Sequence, residues 1–147
     1  MTAFLDIQNL VVDALSASVA LAGGRIYADR VRPISQSAST AIVVRLESTS
    51  ASAQTIATMD WSTQLAVECY GRADASHTAA ANVDALLAQV WQRIAPLESA
   101  TLSLMRLELG PDIEWTYDDA DTPMACATLR VTAMHRTTAQ NLNAWGS

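Results

Sequence analysis

Residues 61–96 constrain this chain more than any other stretch. They open with WSTQLAVECYG, where Trp61, Thr63, Leu65, Val67 and Cys69 share one parity and Ser62, Gln64, Ala66 and Glu68 the other. A period of two marks a half-buried strand, because successive side chains leave a strand on opposite faces. Gly71 and Asp74 break the pattern, and over 75–94 Val83, Leu87, Val90 and Ile94 recur at steps of four, three and four, one face of a helix. Pro96 then stops that helix. A strand running through a short turn into an amphipathic helix must close the two apolar faces on each other. The chain is thereby committed to a sheet with helices laid against it.

The flanking segments supply the rest of that architecture. Phe4, Ile7, Val11, Ala14 and Leu15 place an apolar stripe on residues 3–21, with Asp6, Gln8, Asn9 and Asp13 turned away. This predicts a first helix stopped by Gly23 and Gly24, since glycine accepts the left-handed position past a helix end. Residues 25–31 read as a short strand, 32–40 as a loop, and 41–47 (AIVVRLE) as a central strand. The almost uncharged stretch 48–60 is either a mobile loop or the two sides of a long hairpin arm that orders against a neighbouring subunit. Residues 102–109 form a strand that Gly110 and Pro111 interrupt, and 113–117 either continue it past a bulge or begin another. A turn at 118–123 leads to the last strand, 124–134. The expected fold is α+β: one domain over 1–134, with a mixed, mainly antiparallel sheet of four to six strands and two helices packed on one face. Residues 135–147, polar apart from Leu142 and Trp145, read as a C-terminal tail.

Charge and motifs narrow the function classes. The net charge is −6 and all nine basic residues are arginine, a balance ill suited to gripping nucleic-acid phosphates. No window approaches the roughly 18 apolar residues of a membrane span, and the first residues lack the basic lead and apolar run of a signal peptide. Cys69 and Cys126 fall inside strands and read as buried free thiols. His77, in the first turn of the second helix, and His135, at the end of the last strand, belong to no metal-spacing motif, and no nucleophile elbow or phosphate loop occurs. Glu108, Asp112, Glu114, Asp118, Asp119 and Asp121 form an acidic cluster without a basic residue between them. It lacks the glycine and closing glutamate of a calcium loop, so it reads as a solvated acidic turn. Neither catalysis, nor a cofactor, nor a metal is expected.

Four stretches together carry a resemblance: the N-terminal helix before a loop with AIVVRL at 41–46, WSTQLAVECY leading into VDALLAQV at 83–90, the acidic WTYDDAD at 115–121, and TLRVT at 128–132. Their order over residues 3–134 resembles the tail terminator proteins of long, non-contractile-tailed, lambda-like phages, the minor tail protein U family. That resemblance implies a virion protein, assembled in the host cytoplasm, that forms a ring, hexameric in the family. The ring ends polymerisation of the tail tube and presents a surface to head-completion or neck proteins. DNA passes through such a ring without specific binding, which an acidic lumen favours by repelling phosphates. On this expectation Asp118, Asp119 and Asp121 line the rim or lumen, while Arg45, Ser50, Gln54, Ile56, Met59 and Arg72 contact a neighbouring subunit or the tube. A head–tail connector or neck protein of similar fold is the near rival. A small cytosolic ligand-binding or regulatory domain is the rival from another class.

Overall fold

The alternation around Leu65 becomes β3 (Thr58–Arg72), the middle strand of a five-stranded sheet. The computed structural model describes residues 1–17, 19–29, 38–97, 104–118 and 123–144, with the side chains of Leu104 and Met105 excepted. The other elements are α1 (Ala3–Ser16), β1 (Ile26–Ala28), β2 (Thr40–Gln54), α2 (Ala79–Ile94), β4 (Leu104–Asp118) and β5 (Met124–Thr138). The sheet order is β1-β2-β3-β5-β4, with β1 and β2 parallel and every other pair antiparallel. This is the α+β architecture that the two periodicities require.

Register sorts the strand side chains into two faces. Val44, Val67, Leu129 and Ile113 form one row across four strands, and Leu46, Leu65, Val131 and Leu109 the next. Ile7, Val11 and Leu15 of α1 and Val83, Leu87, Val90 and Ile94 of α2 pack on these rows in one apolar cluster. Gln8, read as facing away, lies buried with them, and its Nε2 donates to the Val44 carbonyl at 2.9 Å. That carbonyl also receives the Asp29 amide, at 3.1 Å, where β1 gives out. A polar side chain at this position completes the pairing of a strand edge, which a helical-wheel pattern does not reveal.

Several expected boundaries move, each for a local reason. Helix α1 ends at Ser16, before the glycine pair; Arg93, in the last turn of α2, donates to the carbonyls of Ala14, Ala17 and Val19 at 2.7–3.1 Å. The carbonyls orphaned at one helix end are thus capped by a guanidinium from the other helix. Ala22, Gly23 and Gly24 instead make a short turn with positive φ. Helix α2 starts at Ala79, because Asp74 first folds 74–77 into a turn by accepting the amides of Ser76 and His77. Thr78 then caps the helix by accepting from the Ala81 amide. His77 therefore precedes the helix and faces Asp74 at 3.4 Å.

Strand β4 takes the bulged form of the two expected, and β5 outruns its expected limit. Strand β4 is continuous across Gly110 and Pro111, with a break in register between Leu109 and Ile113. A side chain at Gly110 would stand 2.8 Å from the Arg130 carbonyl, so glycine is what lets the bulged strand lie against its partner. Strand β5 continues past Met134 to Thr138, burying His135 and Thr137. Ala144 then bridges to Thr137, and the Ala3 amide donates to the Leu142 carbonyl.

Candidate assembly surfaces

The stretch 48–60 forms two sides of a hairpin. Strand β2 runs to Gln54, Thr55–Ile56–Ala57 make the tip, and β3 begins at Thr58. Serine and alanine are poor strand formers, but pairing decides the conformation here. Thr49 and Thr63 share a hydroxyl hydrogen bond of 2.9 Å, and Thr55 Oγ1 accepts the Ala57 and Thr58 amides to close the turn. Strand β5 backs the arm from the other side, with Thr58 opposite Thr138. Among the described residues, β1 covers β2 only over Ile42–Val44, so the outer edge of the arm carries no ladder beyond that point.

The expected contact residues fall into separate places. Ser50, Gln54 and Ile56 are exposed on the arm, with Ile56 fully so at the tip, and Met59 is half-buried beside Thr137. Arg45 lies on the outer sheet face and pairs with Glu68 at 2.7 Å. Arg72 ends β3 opposite Met124, at the far end of the strand from the arm, so the structure does not bring it together with the other expected contact residues on the arm. Asp118 closes β4 and is exposed, whereas Asp119 and Asp121 lie outside the described residues.

The outer face is ionic, and most of its charges pair within it. Arg130 reaches Glu47 at 3.2 Å and Glu114 at 3.1 Å, Arg106 pairs with Glu108, and Tyr70 donates to Glu68. Below these, Arg136 grips Asp60 through two contacts of 2.6 and 3.1 Å, which holds the Asp60 carboxyl below its usual range. Composition did not expose this pair; its only signal was that both residues fall on the outward parity of adjacent strands. Cys69 faces the core opposite Ala127, while Cys126 lies opposite Tyr70 on the outer face, and both thiols are free. Burial pushes the Cys69 thiol up to about 12, away from reactive thiolate. No group of three or more His, Cys, Asp or Glu among the described residues is placed to hold a metal ion. No described helix is long and apolar enough to cross a membrane.

His135 is a buried exception to this neutral bookkeeping. Its Nε2 lies 2.6 Å from the Thr63 hydroxyl, its Nδ1 has no partner among the described residues, and the Phe4 ring meets it edge-on at 5.5 Å. Burial lowers its pKa from 6.5 to about 4. The unfolded chain takes up this proton near pH 6.5 and the folded chain only near pH 4. The contribution of neutral His135 is therefore whole above 6.5 and is lost as pH falls toward 4, about 3 kcal/mol in all. Urea unfolding at pH 7 and 4.5 measures most of that loss, and His135→Gln should flatten the slope; an unaltered slope would assign it to other groups.

No family model matches the chain, and no curated protein does. Among solved structures, a chain in the one described as "Virion of native gene transfer agent (GTA) particle" is similar, with a TM-score of 0.58 at 20% sequence identity. The match covers 87% of this chain and 94% of that one. At this identity the likeness is one of fold.

Proposed function

We propose that this chain is a structural protein of a phage-type virion that caps the tail tube as a ring and offers its other side to the neck. One observation carries the virion reading: nearly the whole chain shares its fold with nearly the whole of a chain in a gene transfer agent particle. The tail-cap role rests on the sequence resemblance together with the arm. A hairpin already ordered by β5 presents Ile56 fully exposed on an uncharged tip. Burying such a side chain is worth about 1.5–3 kcal/mol, and a preformed hairpin loses little freedom on binding. The partners are further copies of the chain, the tail tube protein and a head-completion or neck protein, with the genome passing through unbound.

The reading is tested by mass and by shape. Light scattering and negative-stain images of the purified protein should give hexameric rings, and adding those rings to polymerising tube protein should shorten the tubes. A strict monomer at high concentration, with tubes of unaltered length, would overturn it. For the acidic end, Asn at Asp118, Asp119 and Asp121 together should leave the protein folded, which thermal melting checks. Loss of folding would count against their place on a rim.

A further inference from the structure

Strand β4 is one of the two edge strands of the sheet, and its inward parity is not fully covered by the helices. Trp115 lies opposite Ala127 and Tyr117 opposite Ala125, so both rings stand on the helix-bearing face of the sheet. They are nevertheless 37% and 64% exposed. Together with Ala80, Ala81 and Asp84 of α2 they line a shallow groove at the sheet edge. The two alanines leave the floor open, and the Asp84 carboxylate makes no hydrogen bond or ion pair among the described residues.

We propose that Trp115, Tyr117 and Asp84 form a docking site for an arginine or lysine side chain carried on a segment of a different protein. Charge complementarity selects that occupant. An aromatic face attracts a cation held within about 6 Å, and an adjacent carboxylate supplies the counter-charge. The partial positive charge at the start of α2, about half a unit, opposes this but is smaller than a full carboxylate. Among the described arginines, Arg45, Arg106, Arg130 and Arg136 of a second copy already hold carboxylates of their own and Arg25 and Arg93 hold backbone carbonyls, so a different protein is the better donor. This site lies apart from the arm and does not depend on the tail-cap reading.

The test follows indole signals of the labelled protein while the peptide Ac-Leu-Arg-Leu-NH2 is added, with the citrulline peptide as the neutral control. The Trp115 indole, assigned with Trp115→Phe, should shift saturably with the arginine peptide and not with citrulline. Asp84→Asn and Tyr117→Ala should each weaken binding roughly threefold or more, the lower range for an exposed cation on an aromatic ring. Both positions are exposed, and thermal melting of each variant verifies that it stays folded. An unmoved Trp115 signal, an equal response to citrulline, or unaltered binding by Asp84→Asn would overturn the proposal.

Discussion

Replacing Gly71 with alanine will lower the unfolding free energy by about 2 kcal/mol, within the range for overfilling a packed site. A Cβ at this position would stand 2.8 Å from Val83 Cγ2, 3.1 Å from the Val83 amide nitrogen and 3.3 Å from the Ala79 carbonyl. Two of those three atoms are backbone in the first turns of α2, so a rotamer change cannot clear them. Nor can the strand give way, because Gly71 is paired with Thr40 on one side and Ala125 on the other. The helix must move, and with it the Val83 and Leu87 contacts. Urea unfolding measures the loss. Adding Val83→Ala should recover part of it, so that the double variant is more stable than the two separate losses predict by at least about 0.5 kcal/mol. A Gly71→Ala protein of unaltered stability would show that α2 does not approach β3 as closely as these distances state.

The second large effect is functional. Replacing residues 54–59 with Asn-Gly joins Ala53 to Asp60, which already face each other across the arm, through the two-residue turn that best suits a hairpin. This removes Gln54, Ile56 and Met59 while keeping the Asp60–Arg136 clamp and the Trp61 indole on Thr137, at 2.9 Å. The shortened protein should fold with near-native melting and fail to cap tubes. Loss of the Ile56 contact alone, about 1.5–3 kcal/mol, weakens attachment roughly 10- to 150-fold. Tube lengths by electron microscopy read the outcome, and normal capping by the shortened protein would remove the arm from the mechanism.

How much of this was legible beforehand depended on whether a pattern was local. The Trp61–Cys69 alternation and the Val83–Ile94 stripe each reported which side of an element meets apolar neighbours, and both held. The readings that shifted involve a partner distant in sequence. Helix α1 stops at Ser16 because Arg93 meets its last carbonyls, and β5 runs past Met134 because Trp61 and Thr63 await it across the sheet. Gly71, read as a break, is the last residue but one of β3, paired on both sides, and its absent side chain admits α2. At Gly110, where the sequence left a bulge and a new strand both open, the bulge keeps both halves of β4 on one partner.

The candidate surfaces divide in the same way. Sequence alone determined the period of each element, hence which parity is apolar, and so that the chain folds as a sheet with two helices on one face. It also determined that the stretch 48–60 is almost free of charge. Only the tertiary structure decided between a loose loop and an arm, because Ser48–Gln54 has little strand preference and is held by cross-strand bonds to β3, itself backed by β5. Only packing, too, left Trp115 and Tyr117 exposed on an inward parity. The period says where a side chain points, but whether a helix lies above it depends on where α2 crosses the sheet. Helix α2 makes its close approach to the sheet at Gly71 of β3, two strands away from the rings on β4.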